Sequence, residues 1–163
     1  MLLLFAQTAH AATPDNAAQL AGLFMQSCLP FAGDRVGLRN WAHQLNLAEL
    51  PEQPRAAFLH GKPGNVFDAS NPTGKFVVIS EDAGGCAVLA ANASGPAVVK
   101  ALEDDLRQAS IGFAPGPDAP DPQVKQLQHR EYAASLGTRK WRIVASTVRD
   151  QQGGRAMLTA NPD

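Results

Sequence analysis

Residues Lys75–Ala91 read KFVVISEDAGGCAVLAA, and this stretch decides the fold. Two runs rich in β-branched and apolar residues, Lys75–Ser80 and Cys86–Ala91, flank an acidic segment ending in Gly84 and Gly85. Such runs around a short, glycine-ending turn predict a β-hairpin. The cysteine after the glycines admits two chemistries. It is either an exposed nucleophile or an inert sulfur held in a disulfide at the start of a strand.

The rest of the chain favours the disulfide. Met1–Phe5 reads MLLLF and runs into small residues ending Ala9-His10-Ala11-Ala12, an apolar core followed by an A-x-A cleavage pattern. The expectation is a signal peptide over residues 1–11, truncated at its front because the usual positive segment is missing, and one globular domain over 12–163. Export to the periplasm or the extracellular space is the corresponding expectation. Only Cys28 and Cys86 are present, and an even pair in an oxidising compartment is read first as a bridge. A catalytic thiol would need a base and a position that lowers its pKa. Cys86 instead opens a strand, and Cys28 ends a helix, where the dipole opposes a thiolate.

Outward from the hairpin, the period is helical on the N-terminal side. Asp15–Cys28 places Leu20, Leu23, Phe24 and Ser27 or Cys28 on one face, with Asp15 or Asn16 as N-cap. A second helix over Asp34–Leu45 carries Leu38, Trp41, Ala42 and Leu45. Pro51, Pro54 and Pro63 punctuate the next segment, leaving room for a short helical turn at Arg55–Leu59, and Asn65–Ala69 is a weak strand. Beyond the hairpin, Ser94-Gly95-Pro96 opens a helix to about Ala109, proline being tolerated in a first turn. Its Glu103-Asp104-Asp105 run reads as a solvated face.

Ala114–Pro122 reads APGPDAPDP, expected as an extended, solvated connector. Strands are expected over Gln123–Ala134, Trp141–Val148 and Arg155–Thr159, the last two joined by a turn at Asp150–Gly154. The predicted class is α+β: an antiparallel sheet of about five strands, helices packed on one face, two N-terminal helices and one disulfide.

Composition excludes several functions. A formal net charge of −1 argues against a general nucleic-acid binder. No apolar run is long enough for a transmembrane segment in the mature chain. The G-x-S-x-G elbow, H-E-x-x-H, C-x-x-C and phosphate-loop patterns are all missing, so no cofactor and no metal site is expected. Asn92-Ala93-Ser94 fits a glycosylation sequon, a pattern short enough to arise by chance.

One asymmetry remains. Residues 123–163 hold seven Lys and Arg against three Asp and Glu. Arginine and aromatic residues are enriched at interface hot spots, which makes Arg130, Arg139, Lys140, Trp141 and Arg142 the candidate partner-binding residues. The competing reading has Trp141 in the core and the charges guarding a sheet edge. The function expected is that of a soluble, exported, non-catalytic binding protein contacting a protein or envelope partner, such as an envelope accessory factor or a periplasmic inhibitor. The alternative is a small hydrolase or thiol enzyme using Cys86 with His43, His60 or His129.

Overall fold

The computed structural model describes residues 15–149 and 153–163. The leader expected over residues 1–11, and residues 150–152 of the expected turn, lie outside the described residues.

Helix α1 (Asn16–Gln26) begins where it should, with extended Asp15 accepting a hydrogen bond from the Ala17 N–H at 2.9 Å. It buries Ala17, Leu20, Ala21 and Phe24. At its end the Ser27 hydroxyl donates to the Leu23 carbonyl, and the chain restarts as a single turn, α2 (Cys28–Phe31). Asp34 caps α3 (Arg35–Gln44) through the Gly37 N–H. Leu38 and Ala42 of this helix are buried, Trp41 is half-buried, and Leu45 is exposed.

The described residues form an eight-stranded sheet, with every neighbouring pair antiparallel. Strand β1 (Ala48–Glu49) and helix α4 (Glu52–Leu59) precede β2 (Gly64–Asp68), β3 (Phe76–Glu81) and β4 (Cys86–Ala90). Helix α5 (Gly95–Gln108) then carries the chain to the far edge. There β5 (Gly112–Pro120), β6 (Leu127–Leu136), β7 (Arg139–Val148) and β8 (Ala156–Pro162) return inward. The spatial order is β1-β2-β3-β4-β8-β7-β6-β5, so two four-stranded meanders meet where β8 pairs with β4.

The hairpin of β3 and β4 forms as expected. Its turn needs glycine twice over. Gly84 has φ +98, and a Cβ there would stand 3.3 Å from the Gly33 Cα, where the Gly33 N–H donates to the Gly84 carbonyl. Cys86 is bonded to Cys28, at a separation of 58 positions along the chain and 5.2 Å between Cα atoms. Both are buried. The bridge fastens α2 to the middle of the sheet.

Four expectations change. The sheet has eight strands, not about five, because the weak strand at Asn65 forms fully and β1 and β5 are added. The proline-rich segment is β5, an edge strand paired to β6 with a bulge between Pro115 and Asp118. An edge strand uses only one of its two rows of hydrogen-bonding groups, so prolines fit where the missing N–H would face outward. Strand β6 starts at Leu127 because the preceding residues are drawn into a turn by Asp121, which accepts from the Gln123 and Val124 N–H groups at 2.7 Å each.

Helices also lie on both faces. Helices α1, α3 and α5 cover a face built from Phe76, Val78, Val88, Leu158, Ile143 and Tyr132. Helix α4, a full eight residues, sits on the other, where Leu59 packs with Val66, Ile79 and Ala87. Beyond α4 this second face is uncovered: Leu89, Val144, Met157 and Thr159 are half-buried, and Glu131, Ala133 and Arg142 are exposed.

The bridge and the proline edge each have a measurable consequence. The non-reduced protein should take up no alkylating agent by intact mass, and replacing Cys28 and Cys86 with Ala should lower unfolding stability by about 4 kcal/mol in urea titration. Two alkylated cysteines would refute the bridge. Converting Pro115 to Val and Pro117 to Thr adds two backbone N–H donors to edge strand β5, and should cause self-association visible in sedimentation velocity. An unchanged sedimentation profile would show that the prolines do not guard the edge.

Candidate functional site

The candidate residues on β6 and β7 divide by strand alternation, which sends successive side chains to opposite faces. Trp141 is 3% exposed and belongs to the helix-covered core. Arg139 is stacked over its ring, 4.9 Å from the centroid, and donates to the Pro30 carbonyl at 2.6 Å. It anchors the start of β7 to the open end of α2, where carbonyls lack helical partners.

Arg130 is also on the helix side. It donates to both carboxylate oxygens of Asp118, at 2.6 and 3.1 Å, and to Glu103 at 3.3 Å. The fork ties β5 to β6 and both to α5. Glu103, expected to be solvated, turns inward and also accepts from the Tyr132 hydroxyl at 3.1 Å. Asp104 keeps the exposed role, paired with Lys100 and Arg107. Burial comes first in pushing the Tyr132 phenol up to about 12, with the negative charge of Glu103 next.

Lys140 and Arg142 are the two candidates on the uncovered face. Arg142 donates to Glu131 across the strands from Nη2 and Nε, at 2.8 and 3.2 Å. Its guanidinium holds the Glu131 carboxyl below the usual carboxylate range. Both side chains are more than half exposed, so the pair adds little stability. Lys140 has no ion-pair partner among the described residues. Beside them, Ala114, Gly116, Glu131, Ala133, Arg142 and Asp163 line a hollow of about 420 Å³. Strands β5, β6 and β7 therefore present a shallow, part-charged surface.

Sequence reading missed a hydrogen-bonded chain through His129. Its Nε2 lies 2.6 Å from Asp121 Oδ2 and its Nδ1 lies 2.8 Å from Ser146 Oγ. His129 and Ser146 are directly opposed on β6 and β7. The residue types are those of a hydrolytic triad, but the surroundings are not. Ser146 is 7% exposed and lies mid-strand, between the β6 and β8 ladders that take up the neighbouring N–H groups. Among the described residues, these ladders leave no backbone N–H beside Ser146 free to hold an oxyanion. The chain instead clamps the Asp121 turn onto the sheet, and His129 holds the Asp121 carboxyl below its ordinary range.

The other histidines lie apart. His43 stands edge-on to Phe67, with ring centroids 5.5 Å apart. His60 ends α4 in the left-handed conformation. With both sulfurs in the bridge, neither cysteine is a free thiol for any of the three to activate. Among the described residues no group of three or more His, Cys, Asp or Glu side chains is placed to hold a metal ion, and no helix is long and apolar enough to cross a membrane. Compared with known proteins, the chain matches no family model, no curated protein and no solved structure.

Tyr132 is the chain's single tyrosine, so phenolate absorbance reports on it alone. Its midpoint should lie near 12 in the folded protein and near the ordinary 10.0 after unfolding in urea. Because the folded state holds the proton more tightly, this contribution to stability is full below pH 10 and is lost as pH rises toward 12. Glu103→Gln should move the folded midpoint down. A native midpoint at 10 would contradict the buried Glu103–Tyr132 pair.

Proposed function

We propose that this chain is an exported, non-catalytic binding protein whose uncovered sheet face, at β6 and β7, receives a protein or envelope partner. The observation that carries the reading is the unequal treatment of the two faces. Three helices cover one, whereas the other leaves Ala133 and Arg142 exposed and Val144 half-buried, with Lys140 on the same side. Strands held in ladders on both sides make a rigid platform, and rigid surfaces lose little entropy on association. Lys140 and Arg142 suit an acidic partner surface. Arg130, Arg139 and Trp141 act behind the platform, holding it to α2, α5 and β5.

The apolar leader in the sequence and the buried Cys28–Cys86 bridge support export, since structural disulfides persist in oxidising compartments. The net charge of −1 disfavours nucleic acid as the partner. An envelope accessory factor and a periplasmic inhibitor of a toxin or hydrolase both suit a rigid domain of this size.

The test reverses the charge at the two positions where the fold does not depend on them. Lys140→Glu with Arg142→Glu should keep the thermal unfolding midpoint within a few degrees. The variant should reduce at least tenfold the recovery, by mass spectrometry, of the partner captured from periplasmic extract by the native protein. Lys100→Glu, on the outer side of α5, should leave capture intact. Equal recovery by the double variant and the native protein would remove the partner from this face.

A further inference from the structure

We infer that the groove between α4 and the uncovered face of β3, β4 and β8 binds a small amphipathic anion, a straight apolar chain ending in one carboxylate. This groove shares no lining residue with Lys140 and Arg142, although its β8 side borders β7. The proposal therefore stands independently of the partner surface.

The cavity holds about 340 Å³, a volume suited to a small ligand. Its floor is apolar and comes from adjacent strands: Ile79 on β3, Ala87 and Leu89 on β4, and Met157 on β8. Ile79 faces Ala87 and Leu89 faces Met157 in the ladders, so the four side chains form one continuous surface. Phe58 and Ala57 of α4 make the wall. Three neighbouring strands span about 10 Å, which fits an extended chain of about eight carbons. The small side chains of Ala57 and Ala87 give the groove its depth, because larger ones would fill it.

Charge selects the head group. Lys62 Nζ is bound to both oxygens of Glu81, at 3.0 and 3.2 Å, so that pair is close to neutral. Arg155 lines the same groove and has no carboxylate partner among the described residues. One such guanidinium matches a monoanion, and its planar fork suits a carboxylate. A second basic group, His60, also lines the groove from the end of α4. It adopts φ 48, in the left-handed region that glycine enters freely, and Gly61 comes next at φ 82. A histidine holds the strained position although glycine stands next to it. Thr159 adds a hydroxyl to the groove lining.

The experiment is calorimetric titration of the full chain with octanoate below its micelle concentration, alongside octanol and acetate. Octanoate should bind at one saturable site. Octanol, lacking the charge, and acetate, lacking the tail, should each bind at least tenfold more weakly. Arg155→Ala should weaken octanoate about tenfold, the loss expected for one charge-assisted hydrogen bond. Ala57→Trp, on an exposed position of α4, should fill the groove and abolish binding while the protein remains folded by circular dichroism. The Met157 methyl resonance should shift with octanoate and that of Met25, on α1, should not. Failure of octanoate to saturate, equal affinity for octanol, an unchanged affinity in Arg155→Ala, or a shift at Met25 alone would each overturn the assignment.

Discussion

The pairing of β4 with β8 is the constraint on which the rest of the structure depends. Each of the two meanders could close its own hairpins locally, but only this seam joins them into one sheet. On the helix side of the seam, Cys86, Val88 and Ala90 face Ala160, Leu158 and Ala156. Four of the six side chains are small, so α1 can approach the strands closely and settle Leu20 and Phe24 into the same core. The disulfide is placed at this point. Cys86 is at once the first residue of β4, the partner of Ala160 on β8 and the anchor of Cys28. A bond closing a 58-residue loop thereby restrains the N-terminal helices, the first meander and, through the seam, the second.

The seam also determines how charge is used. Joining the meanders brings the proline-rich edge and the basic C-terminal strands around to α5, so groups distant in sequence become partners. Arg130 meets Asp118 and Glu103, Arg139 meets the α2 carbonyls, and His129 joins Asp121 to Ser146. Part of the basic excess of residues 123–163 is thus spent within the fold, at Arg130, Arg139 and Arg142. A cationic surface cannot be inferred from a count of arginines, because acids elsewhere in the chain neutralise them. What remains available is set by face. One side of the sheet is closed by helices, and the other is closed only where α4 lies.

Local patterns were legible where one segment carried its own signal. The β3–β4 hairpin, α1 with its Asp15 cap, the proline-tolerant start of α5 and the Cys28–Cys86 pair could all be read from a few adjacent residues or from cysteine arithmetic. Strand β5 could not, since Pro115, Pro117 and Pro120 argue against a strand unless that strand lies at an edge, and edge position is a property of the whole sheet. Helix α4 read as a brief turn because Leu59 is its single buried residue, with Phe58 only partly buried beside it, and so short an apolar stripe gives almost no hydrophobic period. Glu103 read as solvated because its partner Tyr132 lies 29 positions along the chain. The clamp at His129 escaped notice for the same reason, its three members standing on a turn and two different strands.

By itself, then, the sequence determined an α+β chain with an antiparallel sheet, a glycine-closed hairpin and one disulfide. Each of these depends on short-range periodicity, turn chemistry or the count of a single residue type. The tertiary structure alone decided that β8 enters the middle of the sheet, that proline-rich β5 closes its edge, and which basic side chains remain outside. Those outcomes depend on long-range register and on the alternation of strand faces. A one-residue change of register would exchange Trp141 for Lys140 between core and surface.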